Sequence, residues 1–213
     1  MINLSKASKM PAKSWSLQAG TTCPGSIDPA TKQPLPVCAG CYAKDGMYNM
    51  PNVKSVRDAN REYWKRAEWV DQMVLALAKE KFFRWFDSGD VYHPALAFKI
   101  FLVMQKTPHV KHWLPTKSYK IPKIRAILDR MKQLENVAVR FSSPSINGEF
   151  TEEHGSTVIA YADDETSATV CGAYSRGGKC GDCRACWSKD VKVVAYPAHG
   201  RRMMSKVRKM KGV

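Results

Sequence analysis

The sequence predicts an α/β fold built on a parallel sheet, and three observations lead there. Short apolar runs alternate with longer stretches at helical spacing, and each run stops at a polar loop marked by proline, glycine or serine. Six strand-like runs can be counted in this alternation. They suit either an open doubly wound sheet or a partial barrel with right-handed crossovers. Third, all seven cysteines fall in two short clusters that stand in loops after the first and fifth strands. In either architecture the loops beyond the carboxyl ends of the strands carry the chemistry.

After a basic start at Lys6, Lys9 and Lys13, the stretch SWSLQAG from Ser14 to Gly20 alternates apolar and polar residues and predicts the first strand. The loop TTCPGSIDPATKQPLPVCAGCYA follows, with Pro24, Pro29, Pro34, Pro36, Gly25 and Gly40. Proline lacks the donor that a ladder needs and fixes its own φ, so this segment presents ligands instead of forming a helix or inner strand. Pro51 opens a helical region to about Glu80, with Val53, Val56, Tyr63, Ala67, Val70, Val74 and Leu77 near helical spacing. The run FFRWF, Phe82 to Phe86, predicts a buried second strand that ends at Asp87-Ser88-Gly89-Asp90. A helix starts at His93-Pro94 and stops before Pro108. Val110 to Leu114 is the third strand, broken at Pro115-Thr116-Lys117-Ser118.

The stretch from Ile121 to Leu134 is an amphipathic helix with Ile124, Ile127, Leu128, Met131 and Leu134 on one face. Val137 to Phe141, Thr157 to Tyr161 and Val191 to Tyr196 complete the strands. A basic tail over residues 200–213 carries a narrow stripe of Met203, Met204, Val207 and Met210 among six cations, Arg201, Arg202, Lys206, Arg208, Lys209 and Lys211. Such cations either clamp phosphates or form the solvated face of a docked helix.

At 213 residues the chain suits one domain, 1–213, with a substantial core. No apolar run approaches the ~20 residues that cross a bilayer, so a soluble protein with no membrane partner is expected. A net charge of +15 favours nucleic acid or another anionic partner. The odd number of cysteines, seven, and the polar, basic start from Met1 to Lys13 argue against a secreted, disulfide-bonded protein.

Cys38 and Cys41 form a CxxC, and Cys23 supplies a third thiol from across the proline-rich loop. Cys180, Cys183 and Cys186 form a CxxCxxC run, with Cys171 just before it. That run resembles the one that wraps a cubane in bacterial ferredoxins, whereas zinc sites more often use two separated pairs. The pattern therefore predicts one or two 4Fe-4S iron–sulfur clusters on Cys23, Cys38, Cys41, Cys171, Cys180, Cys183 and Cys186, ahead of structural zinc. Asp87, Ser88, Gly89 and Asp90 are read either as a capping loop or as a ligand-binding one. His199 is expected to have a structural role, and spacing assigns no catalytic residue.

TCPGS with CAGCYA, FFRWFDSGDV, HWLPTKS and GGKCGDCRACW together resemble the gene product 88 family of bacteriophage proteins. That resemblance implies expression in the cytoplasm of the infected host cell. A more distant resemblance is to radical S-adenosylmethionine enzymes. It implies a partial (β/α)6 barrel in which Cys23, Cys38 and Cys41 hold a cluster whose open iron binds S-adenosylmethionine. Asp87, Ser88, Gly89 and Asp90 would then occupy the place of the amine-binding motif, and an electron donor would be a partner. This chain departs from that superfamily's CxxxCxxC, since fourteen residues separate Cys23 from Cys38 and Tyr42 follows the last cysteine. The alternative function is a non-enzymatic, fully ligated iron–sulfur protein for electron transfer, redox sensing or nucleic-acid binding.

Overall fold

A computed structural model describes residues 2–212. Strands β1 (Ser5–Lys6) and β2 (Lys13–Trp15) pair antiparallel. Onto β2 are added β3 (Phe82–Trp85), β4 (Lys111–Thr116) and β5 (Val137–Phe141), all parallel, giving a five-stranded sheet of order β1-β2-β3-β4-β5. In a second, all-parallel sheet, β6 (Ser156–Ile159) and β7 (Thr169–Val170) flank β8 (Val194–Pro197). A parallel bridge between Ser142 and Ser156 joins the end of β5 to the start of β6. Six α-helices complete the described residues: α1 (Pro36–Ala39), α2 (Pro51–Tyr63), α3 (Trp69–Leu77), α4 (Pro94–Lys106), α5 (Pro122–Lys132) and α6 (Arg201–Lys211). None is long and apolar enough to cross a membrane.

The two faces of the main sheet are covered differently. Alternation places Phe83 and Trp85 on one face, where they join Trp15, Met73, Leu77, Ile100, Met104, Leu128 and Phe141 in the largest core cluster, under α3, α4 and α5. Trp15 meets Trp69 edge to face at 5.4 Å between ring centroids and Trp85 at 6.3 Å. The opposite face carries Arg84, Trp113 and Ala138, which are cross-strand partners, and Arg140 two residues on. Among the described residues no α-helix covers that face at its centre, where a 3-10 turn, Ala185–Trp187, lies instead. Met10, Ala12 and Trp187 pack there on Trp113, with Cys180, Cys186 and Tyr196 around them.

All six predicted strands are present, Val137–Phe141 with the predicted limits and the other five with shifted ones. The first ends at Trp15 instead of Gly20, because its neighbour Phe86 takes a left-handed backbone with φ 59° and the regular ladder stops there. The third runs through Pro115 to Thr116 instead of ending at Leu114. Lys111 donates toward β3 and His112 toward β5, so the missing N–H of Pro115 faces β3 beyond the last paired residue and no bond is lost. The single helix expected from Pro51 to Glu80 is two helices. Lys99 on α4 causes the break by donating to the carbonyls of Trp64, Lys65 and Arg66 at 2.9, 3.3 and 2.6 Å, which places a cation on the end of α2. Strands β1 and β7 and helix α1 are too short for periodicity to signal them.

His112 lies wholly inside the core. Trp85 donates to its Nδ1 at 3.3 Å, so Nε2 carries the proton and donates to Thr107 Oγ1 at 2.9 Å, which in turn donates to the Val103 carbonyl. Burial pushes its pKa down to about 3. The unfolded chain therefore binds this proton first. Stability is fully present above the ordinary histidine range and falls as pH drops from about 6.5 toward 3, by up to about 5 kcal/mol. In denaturant titrations from pH 7 to 4, His112→Leu should show a shallower loss of stability than the parent chain. Equal slopes would contradict the buried neutral imidazole.

Candidate functional site

The first cysteine group stands at the carboxyl ends of the parallel strands. Its loop is closed in steps, each dictated by a local residue. Pro24 opens a 3-10 turn (Pro24–Ser26), and Ser26 folds back to donate to the Cys23 carbonyl at 2.6 Å. The Asp28 carboxylate accepts from the N–H groups of Ala30 and Thr31, both at 2.9 Å, and makes a turn. Ile27 then bridges Pro34, and Leu35 donates to the Ser26 carbonyl at 2.9 Å. The fourteen-residue spacer is thus folded onto itself, and Cys38, in the single turn of α1, returns to Cys23. Gly25 seats this loop on the end of β4, where a Cβ would stand 2.2 Å from the Lys117 carbonyl oxygen.

Cys23, Cys38 and Cys41 are partly buried free thiols close enough to affect one another. The Cys23 thiol is pushed up to about 12, chiefly by burial and then by the Asp90 carboxylate, with smaller contributions from Cys41 and Cys38. Cys38 is raised by burial while Lys117 opposes it. A cationic centre among these sulfurs would relieve the cost that burial imposes on the thiolates.

The Asp87–Asp90 segment divides into two roles. Asp90 is engaged on both oxygens, accepting from Thr116 Oγ1 at 2.7 Å, the Val91 N–H at 2.7 Å and the Lys117 N–H at 2.8 Å. Ser88 donates to the Leu17 carbonyl at 2.7 Å, and Gly89, at φ 74°, leaves no room for a Cβ beside Leu17 and Thr22. These three residues lock the β2, β3 and β4 ends together. Asp87 differs. It is buried with Arg57 at 3.9 Å, and its Oδ1 has no hydrogen-bond donor among the described residues. Tyr42, next to Cys41, donates to the Asp87 carbonyl at 2.8 Å.

The second group lies between β7 and β8. Cys171 donates its N–H to the Ala195 carbonyl in β8, and the Cys180 N–H reaches the Lys9 carbonyl at 2.9 Å. A turn at Tyr174–Arg176 ends in left-handed Gly177 and returns the chain toward Cys171. The Cys186 sulfur is 3.2 Å from the Tyr196 hydroxyl. Burial raises the Cys180 and Cys186 thiols, and Cys171 adds to both. Cys183 is exposed. The segment is fastened to the sheet by Trp187, whose indole donates to the Phe83 carbonyl at 2.9 Å, and by Arg140.

Arg140 is 2% exposed and has no acidic partner among the described residues. Its guanidinium donates to six carbonyl oxygens: Ala185 and Ser188 at 2.7 Å, Cys186 at 2.9 Å, Gly155 and Val191 at 3.0 Å and Lys192 at 3.4 Å. Burial pushes its pKa down, although a guanidinium stays charged.

The family model for gene product 88 matches residues 2–189. The chain belongs to the gene product 88 family, a bacteriophage family. The match spans both cysteine groups and ends before β8. Neither the curated proteins nor the solved structures contain a match to it.

In this gene product 88 chain all seven cysteines are free thiols. Among the described residues no three His, Cys, Asp or Glu side chains lie at the spacing of a single metal ion. Sequence reasoning missed Arg140, and the available signal was a cation inside the apolar strand VAVRF. It also missed the stack in which His199 lies 5.1 Å from the Tyr42 ring and 5.1 Å from the Tyr174 ring, a contact between distant segments with no periodicity to show it.

Arg140→Met should release the second cysteine segment. The expected result is a loss on the order of 3 kcal/mol and faster amide exchange over residues 180–192, with the α4 and α5 amides unchanged. Unchanged exchange in that segment would show that Arg140 does not hold it.

Proposed function

We propose that the chain is a phage iron–sulfur protein with two clusters in a partial (β/α)6 barrel. Cys23, Cys38 and Cys41 hold one at the strand ends, and Cys171, Cys180, Cys183 and Cys186 hold the other over the sheet. The observation that carries this reading is the gathering of seven free thiols into groups of three and four, with none left over. The Ser142–Ser156 bridge supports the barrel, since it continues the spatial order from β5 through β6 to β8.

Bound at these positions, such clusters supply one-electron transfer, and one with only three protein thiolates also offers an iron to the amino and carboxylate groups of S-adenosylmethionine. The chain's own residues fit that division. Asp90, the carboxylate bordering the first group, is occupied by three protein donors, so it is a positioning residue and not a fourth ligand. Asp87 keeps an acceptor oxygen for a donor from the bound molecule. Lys117 sets a positive charge near Cys38. The exposed Cys183 marks the side from which an electron donor approaches the second group. A reducing cytoplasm, that of the infected host, keeps these thiols available.

Iron, zinc and sulfide analysis of anaerobically purified protein tests the reading, with electron paramagnetic resonance of the reduced form. Iron with stoichiometric sulfide is expected, with a spectrum that changes on adding S-adenosylmethionine. A spectrum indifferent to it leaves electron transfer as the function, and zinc without sulfide overturns the proposal. Cys183→Ala should lower both iron content and melting temperature, because a lost ligand weakens cluster and fold together.

A further inference from the structure

Helix α6 lies outside the span matched to the gene product 88 family and takes no part in either cysteine group's ligand set. The centre of its apolar stripe is already used. Met203 and Val207 are buried, and Met203 packs with Val37 and Ile146. Gly40 admits this contact, since a Cβ there would sit 2.9 Å from the Met203 sulfur. The remaining arc of the helix points outward and carries Arg201, Arg202, Lys206, Arg208, Lys209 and Lys211, all exposed.

No acid follows Asp190 in the chain. Arg201 and Arg202 share Asp45, at 3.4 and 3.7 Å, both on exposed side chains. The other four cations have no acidic partner among the described residues. A shallow depression between Arg201, Met204, Ser205, Arg208 and Lys209 runs along this face. Such a row is costly through self-repulsion unless an anion offsets it.

We propose that the outward face of α6 binds the phosphodiester backbone of nucleic acid, without reading sequence. A helix of this length spans roughly 16 Å, enough for its cations to meet about three to five phosphates of a duplex. Nucleic acid is favoured over a bilayer because an interfacial helix must bury its apolar face in lipid, and Met203 and Val207 of that face are already buried in the protein, which leaves Met210 as its exposed apolar side chain. The long, flexible cations without a rigid recognition pocket favour backbone contacts over base readout. This inference is independent of the cluster reading, since none of its residues is a proposed ligand.

Fluorescence anisotropy of the full chain with a labelled random-sequence DNA duplex, over a potassium chloride series, tests it. Binding is expected with a slope of about −3 to −4 in log K against log salt. The triple variant Lys206→Gln, Arg208→Gln, Lys209→Gln should bind at least about tenfold more weakly, with a slope shallower by about 2 to 3. A control triple on α2 and the turn after it, Lys54→Gln, Arg61→Gln, Lys65→Gln, removes equal charge and should leave the affinity within about twofold, which separates a surface from net charge. Circular dichroism confirms that both variants fold. No duplex binding, an equal loss in the control, or tight binding to phosphatidylserine vesicles in place of DNA would each overturn the proposal.

Discussion

A single buried guanidinium closes the open face of the sheet. Arg140 replaces the water it loses with six backbone carbonyls drawn from residues 155–192, and it does so without an acid. A carboxylate partner would have fixed one point. Carbonyl dipoles let the same cation gather a loop, a cysteine run and the approach to β8. Because a helix-poor, cysteine-rich segment has little apolar surface of its own, this polar clasp and the Trp187 anchor take the place that a helix fills on the other face.

The strand ends use a similar device with the charge reversed. Asp90 collects donors from β4 and its own loop, while Ser88 and Gly89 hold β2 against β3. Lys99 does the same for the exposed end of α2. Arg140, Asp90 and Lys99 thus engage backbone groups instead of pairing with an opposite charge. The ten ion pairs among the described residues are largely at the surface, where such pairs contribute little, and the buried Arg57–Asp87 contact is long.

Much of the fold was legible because strands such as FFRWF and VAVRF are apolar runs buried on both faces, and α5 keeps a helical stripe. What periodicity could not show were two-residue strands, the proline inside β4 and the helix break set by Lys99 from another element. The grouping of cysteines was visible as spacing. Its closure was not, because the return of Cys38 to Cys23 depends on the Asp28 turn and the Ile27–Pro34 bridge. The division between a locking Asp90 and a less engaged Asp87 was equally hidden, since both are aspartates in one polar loop and differ only in which donors reach them.

The contact of Met203 with Gly40 also sets an order of events during biosynthesis. The wall behind the CxxC turn is supplied by a residue translated about 160 positions later. At roughly 5 to 20 residues per second, the three thiols of the first loop are outside the ribosome for on the order of ten to thirty seconds before that wall exists. Through that interval they are solvent-accessible nucleophiles on an unfinished chain. The first cysteine group is therefore enclosed only after α6 has been translated.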